Sequence, residues 1–484
     1  MKRYPSVAAR RGNSRVLVLS SSLLIDRMLV HTDFLHTLRE AGIDVDVWAS
    51  SAQNVTYRGL WDVQPASVRP LPEVQPFRQL FHNYPRRFNE ALWDLRQRDP
   101  SRMSMLRHRP VTPETRRLWL IDRLASVLAP LGIERSVENA LEHWLMRYER
   151  SDQATKLLSE NRPDIVLTTG PYQFEQPGIM ASALRLGIKT IALIPSWDNI
   201  STKKRMLFKY DGYIVWSHKL RDELLERYPH TRDRPVYVVG APQFDVFFQA
   251  RFQQTRSEFC AAQGLSPVRP LIVYAVGSPN FLTGEPSGAL AMARSVDRGD
   301  LGDVQLLVRP HPIHDHGKLA QLFEGFSDRV KVQETSVPGT PLTARSQDED
   351  QIREWVNTFR HAAVVVNLSS TVSVDAAICD RPVVNLDFDP APGAPDQQLI
   401  KEINREWTHF SPIAQSGGVW LVNSITEMVD AVRTYLVQPE LHREGRRWIV
   451  RHVCEYSDGD CGVRMADALR AFLDSRKVES SQRV

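Results

Sequence analysis

The chain is poor in cysteine, with four in 484 residues: Cys260, Cys379, Cys454 and Cys461. Their spacing fits no thiolate metal motif, and so few thiols in a long chain point to reduced cysteines, not a disulfide scaffold. No uninterrupted run of about 18 apolar residues occurs, the length a membrane-spanning helix requires. Lys2, Arg3, Arg10 and Arg11 precede the first apolar run, but that run, residues 16–19, is too short for a secretory signal, so a cytoplasmic protein is expected. Strong charge of either sign is also missing. Lys plus Arg number 61 and Asp plus Glu 57, leaving +4, which excludes a polybasic nucleic-acid binder. Gly-x-Gly-x-x-Gly, Walker A, Gly-x-Ser-x-Gly and the kinase motif set are absent, which sets aside dehydrogenases, P-loop ATPases and serine hydrolases. No internal repeat is visible.

What is present is a rhythm of short apolar runs separated by helical patterns. Arg15–Ser20, residues 43–48, 164–169, 190–194, 212–216 and 235–239 read as strands, several with amphipathic segments between them. The rhythm restarts at residues 270–276, 304–308, 330–333, 363–368 and 383–386. Such alternation predicts α/β architecture: two doubly wound, Rossmann-like domains facing across a cleft. The first spans 14–250, with a helical insertion over 71–160, and the second 265–440. Residues 441–475 form helices that brace the two. Residues 284–302 read as a polar loop. From Arg78 to Arg123 eleven arginines meet five acidic residues, an excess larger than that of the whole chain.

Ligands bind open α/β sheets beyond the strand carboxyl ends, so those segments carry the functional candidates. After the strand at 363–368 come Ser369, Ser370 and Thr371 at the start of a helix, where free amides and hydroxyls suit a phosphate. Asp375, four residues on, shares that helix face and could accept hydrogen bonds from ribose hydroxyls. After the strand at 304–308, Arg309-Pro310-His311-Pro312 offers a guanidinium fork and an imidazole on a stiff backbone. His314 and His316 follow, but their spacing does not support a metal, and none is expected. Gly277 and Ser278 stand at the corresponding place on the domain's first strand and would bound the nucleotide.

In the first domain, Trp197, Asp198 and Asn199 follow a strand and precede Lys203, Lys204 and Arg205. Cations beginning a helix oppose its dipole, so Lys203 and Lys204 are read as binding an acceptor or anion. Asp198 is a candidate general base. So is His31, which follows Ser20-Ser21-Ser22 and Asp26. The loops 169–171 and 240–245 use Gly and Pro where a ligand or the other domain approaches the backbone.

Arg309-Pro310-His311-Pro312, Ser369-Ser370-Thr371 with Asp375, Asp380-Arg381-Pro382-Val383-Val384, Ser196-Trp197-Asp198-Asn199 and Gly240-Ala241-Pro242 together resemble bacterial GT-B-fold transferases. That group contains surface-polysaccharide glycosyltransferases and CDP-glycerol glycerophosphotransferases. The resemblance spans residues 164–387; the insertion has no counterpart in it. It implies that the Arg309–His311 and Ser369–Thr371 loops hold the donor diphosphate and that the first domain holds the acceptor. An acidic motif found after the first strand in some members is absent, leaving the base open between Asp198 and His31. The expected activity is transfer of a sugar or polyol phosphate from a nucleotide-activated donor to a glycan, polyol or lipid-linked hydroxyl. No cofactor and no nucleic acid are needed. The alternatives are a non-hydrolysing sugar-nucleotide 2-epimerase and a non-catalytic partner protein. Phe81, Phe88, Trp93, Trp119 and Trp144, interleaved with the arginines, suggest an insertion that rests on anionic membrane, or else a solvated helical lid.

Overall fold

A computed structural model describes residues 13–481 apart from 73–78, 133, 150, 173–175, 280, 281, 283, 315 and 335–344. The first sheet has seven strands: β1 (Arg15–Ser20), β2 (Asp44–Ala49), β3 (Ser67–Pro70), β4 (Ile165–Thr168), β5 (Lys189–Leu193), β6 (Gly212–Val215) and β7 (Val236–Val238). The second has six: β8 (Leu271–Ala275), β9 (Gln305–Arg309), β10 (Val330–Val332), β11 (Val364–Asn367), β12 (Val383–Leu386) and β13 (Trp420–Val422). Their orders are β3-β2-β1-β4-β5-β6-β7 and β10-β9-β8-β11-β12-β13, with every neighbouring pair parallel.

Helices cover both faces of each sheet, so the central strands are apolar along their length; residues 16–19 of β1 and all of β8 and β11 are buried. Each sheet reverses its winding once, between β1 and β4 and between β8 and β11. At these points the crossovers leave to opposite sides and open a crevice.

Three elements depart from the sequence expectation, one of them the short strand β13, which was not foreseen. β3 was not foreseen, because Ser-Val-Arg-Pro is a half-exposed edge segment with no alternation. Residues 284–302 are not a loop throughout: Pro286–Asp297 is a helix whose Gly288, Ala289, Met292, Ala293 and Val296 pack inward. Small residues at helical spacing bury as well as large ones but leave a weaker hydropathy signal.

The C-terminal segment leaves the second domain as Arg443–Cys454, which packs on Val372–Ile378, and returns to the first as Cys461–Ser481, which packs on Phe34–Glu40. The loop 240–245 receives it. Asp245 accepts the backbone N–H groups of Gly462 (2.7 Å) and Cys461 (3.2 Å), and Gly240, at φ +87°, leaves no room for a β-carbon beside the Cys461 sulfur. That loop is therefore a helix seat. The four cysteines are free thiols.

The insertion between β3 and β4 builds a small core of its own, with Phe88, Ala91, Leu92 and Leu95 against Ile121, Ala125 and Val137. Much of its arginine excess is spent internally: Arg96 pairs with Glu138 (2.6 Å), Arg102 with Asp94 (2.6 Å) and Arg109 with Asp122 (2.8 Å). Trp93 is buried and stacked on Tyr228 at 4.5 Å, so neither it nor Phe88 is available to a membrane as expected. Phe81's side chain lies outside the described residues.

One insertion helix, Pro100–Arg107, is a strut to the second domain. Buried Glu402, on the helix Gln397–Arg405, accepts hydrogen bonds from Ser104 (2.6 Å) and Arg107 (2.8 Å), with His108 Nε2 at 3.2 Å. Asp99 takes both Thr408 Oγ1 and Arg227. Burial alone would raise the Glu402 pKa, but hydrogen bonds from Ser104, Arg107, Gln398 and His108 outweigh it and hold the carboxyl down to about 2. A depressed folded-state value means that this stabilisation is complete above the ordinary 4.5 and is lost as pH falls toward 2. Glu402→Gln should therefore cost about 1–3 kcal/mol at neutral pH and flatten the stability profile between those limits. Thermal unfolding of the two proteins across that range checks it; parallel profiles would show that the strut carries no charge-dependent stability.

Candidate functional site

Each winding reversal is held by one buried polar side chain. In the first domain Gln176 donates to Ser21 Oγ (2.7 Å) and accepts from Thr168 Oγ1 (2.5 Å), tying the ends of β1 and β4. In the second, Glu285 accepts the backbone N–H of Gly277 (2.6 Å) beyond β8 and of Leu368 (3.2 Å) beyond β11. Burial lifts the Glu285 carboxyl to about 8 despite these two donors. A β-carbon on Gly277 would stand 2.5 Å from Glu285 Oε2, so glycine is required there by proximity. Sequence reasoning missed Glu285 because it lay in the segment read as a loop.

Around Gly277 the donor-side candidates converge, since β9, β8 and β11 are adjacent. His314 Nε2 donates to Gly277 O at 3.0 Å, anchoring the loop after β9 to the loop after β8. His311 accepts the Ile313 N–H on Nδ1 (3.3 Å), which assigns its proton to Nε2. Burial, followed by the neighbouring His314 and Arg309, lowers its pKa to about 4, so it is a neutral donor at physiological pH. Ser278 is half-buried.

Arg309 is placed differently from the expectation. Its guanidinium does not fork into the crevice: Nη1 donates to Gln333 Oε1 (2.6 Å), Glu354 lies at 3.9 Å, and the group rests over the Phe359 ring. A guanidinium taken from water needs such partners. The hydroxyls after β11 are also partly engaged. Ser369, at φ +46°, donates to Asn404 Oδ1 (2.5 Å), and Ser370 donates to Asn367 Oδ1 (3.3 Å) while accepting the Val372 N–H, so Thr371 is the one left exposed. A non-glycine residue in the left-handed region costs about 1–2 kcal/mol, so the Ser369 turn is held by its surroundings.

Asp375 is not on an open helix face. It is buried between Arg27 of the first domain and Arg309, with the Trp355 indole beside it, and its Oδ1 has no hydrogen-bond partner among the described residues. Burial raises it to about 7, with Arg27 and Arg309 opposing. Arg27 is the residue sequence reading overlooked. It crosses to the second domain, stacks on Trp355 (3.8 Å) and sends Nε and Nη2 to Gln347 Oε1 (3.0 and 2.6 Å). Its one signal was its place between Asp26 and His31, which had been read as facing the cleft.

His31 belongs to the same contact. Its Nε2 meets the Gln347 carbonyl at 2.7 Å, its ring packs edge-on to Phe252, and burial takes its pKa to about 4. With its Nε2 proton donated to a carbonyl, His31 joins the two domains. Asp26 lies deeper, accepting Ser20 Oγ and Ser51 Oγ at 2.5 Å each, and burial lifts it to about 6.

On the acceptor side, Asn199–Thr202 is a single helical turn whose C-cap is Lys203. The cations thus end the helix, where its dipole welcomes them, and the argument for an anion beside Lys203 and Lys204 falls. Lys204 pairs with buried Glu90 at 2.8 Å; Lys203 is exposed. Trp197 is buried against His409 of the second domain, ring centroids 5.0 Å apart, and Asn199 donates to Asp198 Oδ1 at 3.1 Å. Asp198 accepts hydroxyls of Ser196 (2.5 Å) and Thr202 (2.8 Å). Burial would raise it, but His409, Ser196, Lys203 and Thr202 together hold it below the usual carboxylate range. A cavity of about 470 Å³ lined by Trp93, Glu138, Arg205 and Tyr228 lies under the insertion, away from these residues.

No family model matches the chain, and no curated protein matches it. Solved structures do. The UDP-GlcNAc 2-epimerase of Neisseria meningitidis bound to UDP-GlcNAc is similar over 94% of this chain and 100% of that one, at 12% identity and a TM-score of 0.53. The S. aureus MnaA–UDP complex is similar over 95% and 97%, at 12% identity and a TM-score of 0.52. A further UDP-N-acetylglucosamine 2-epimerase is similar over 95% of both chains, at 13% and 0.53. The fold is thus the GT-B arrangement of two facing α/β domains.

Gly277→Ala should destabilise the protein by about 1–3 kcal/mol through overpacking against Glu285. Thermal unfolding reads this directly; an unchanged midpoint would mean that the loop shifts freely and that Glu285 does not set its position.

Proposed function

We propose that this protein is a glycosyltransferase, moving a sugar or polyol phosphate from a nucleotide-activated donor to an acceptor hydroxyl. The observation that carries the reading is the convergence of His311, Gly277 and Thr371 on adjacent strand ends at the second sheet's winding reversal. With a sugar donor the bond between the anomeric carbon and the diphosphate oxygen breaks and the leaving nucleoside diphosphate gains charge; with a polyol phosphate donor the phosphoanhydride P–O bond breaks and the nucleoside monophosphate leaves. The His311 Nε2–H and the Thr371 hydroxyl are suited to receive it. Arg309 and Arg27 add positive potential from behind the loop without touching the ligand. The acceptor oxygen bonds to the anomeric carbon, or to the phosphorus of a polyol phosphate, and its proton passes to Asp198. Both carboxyls at first-sheet strand ends accept hydroxyl hydrogen bonds on both oxygens, and Asp198 is the better base by reach because it is half-buried whereas Asp26 is 2% exposed. Closure of the two domains aligns the reactants.

Turnover of UDP-, GDP- and CDP-activated donors, with and without glycan or polyol acceptors, tests the reading. His311→Ala should cost about 10²-fold in kcat/KM, as loss of an oxyanion donor does. Asp198→Asn should lower kcat by about 10²–10⁴-fold, as loss of a general base does, with nucleotide affinity unchanged. Conversion of the sugar nucleotide without acceptor would identify a 2-epimerase instead, and absence of nucleotide binding by calorimetry would leave a non-catalytic partner.

A further inference from the structure

The helix Pro113–Leu128 has two apolar faces, and only one of them is used by the fold. Ile121 and Ala125 face inward to the small insertion core. On the outside, Leu120, Leu124 and Val127 are 62%, 54% and 64% exposed. At i, i+4 and i+7 they form one continuous ridge. Trp119, 56% exposed, stands at its margin, and Val111, 79% exposed, leads into the helix. Four of the exposed large apolar residues of the described chain therefore sit on one helix, whereas scattered single ones would need no explanation.

Charge accompanies the ridge. Arg116 and Arg123 flank it on one side and Arg117 on the other by helical position; all three are exposed. Unlike Arg96, Arg102, Arg107 and Arg109, they form no ion pair among the described residues. The Arg123 guanidinium lies over the Trp119 ring at 5.5 Å. Asp122, next to Arg123, pairs with Arg109. The surface is a convex ridge, not a groove into which a partner helix would nest.

We propose that this outer face docks the protein on an anionic lipid surface, the aliphatic ridge entering the acyl boundary while the arginines meet phosphate headgroups. An apolar stripe flanked by unpaired arginines, with a tryptophan at the polar boundary, is the arrangement of an interfacial helix. The expectation of membrane contact rested on Phe81, Phe88, Trp93, Trp119 and Trp144; of those described, Trp93 is buried, Phe88 and Trp144 pack partly buried against the cores, and Trp119 is exposed. The inference is independent of the donor-site reading.

Co-sedimentation of the full chain with phosphatidylglycerol/phosphatidylcholine vesicles, and with phosphatidylcholine alone, tests it. Binding is expected on the anionic vesicles and to weaken at high salt. Leu120→Ser with Leu124→Ser should weaken it by about tenfold or more. Arg116→Gln, Arg117→Gln and Arg123→Gln should each cost about fivefold and together remove the salt dependence. All five positions are exposed, so unfolding temperatures and nucleotide affinity should match those of the parent. No binding to anionic vesicles, equal binding to phosphatidylcholine, or binding indifferent to both variant sets would overturn the proposal. So would concentration-dependent self-association dissolved by the leucine variants, which would make the ridge an interface between two copies.

Discussion

The structure depends on a polar constraint imposed on an apolar scaffold. A parallel sheet that winds both ways must open a crevice where its winding reverses, and the backbone groups there lose their ladder partners. In the first domain the neutral amide of Gln176 closes that gap against hydroxyls. In the second a carboxyl, Glu285, closes it against two backbone amides and is pushed toward neutrality by the burial this requires. Neither loop could hold its shape if these side chains were apolar, because buried N–H groups without acceptors are costly.

A second set of buried charges relates the two domains to each other. Arg27 reaches across to Gln347 and Trp355 and comes under the influence of Asp375, while Arg309 approaches Asp375 from within the second domain. One carboxyl thus lies between two guanidiniums of different origin. Some distance away, Glu402 gathers Ser104, Arg107 and His108 of the insertion. The insertion, which looked like a lid in sequence, is on this account partly a strut. Many of its arginines are engaged by neighbouring carboxylates, whereas Arg116, Arg117 and Arg123, without an ion pair among the described residues, lie on a helix with an exposed apolar outer face.

The site was legible in outline and misread in detail. Strand ends could be located because buried parallel strands are apolar runs, and glycine, proline and hydroxyl residues punctuate their ends. Thus the strands that His311, Gly277 and Thr371 follow could be located. Which atom each residue has free could not be read the same way. Arg309 was taken to be available because it follows a strand, yet Gln333 and Glu354, from other elements, engage it. Lys203 and Lys204 were placed at the beginning of a helix that proves to end there. One turn of error reverses the sign of a dipole argument.

By itself the sequence determined the architecture, since the alternation of short apolar runs with amphipathic helices can be satisfied by parallel sheets covered on both faces. It also determined the strand-end loops, because backbone conformation there is a local matter of glycine, proline and capping residues. The tertiary structure alone decided which polar groups are spent and which are free. Hydrogen-bond partners such as His31 and Gln347 stand 316 positions apart, and the desolvation that moves Asp375 and Glu285 toward neutral pKa arises only when distant segments pack over them.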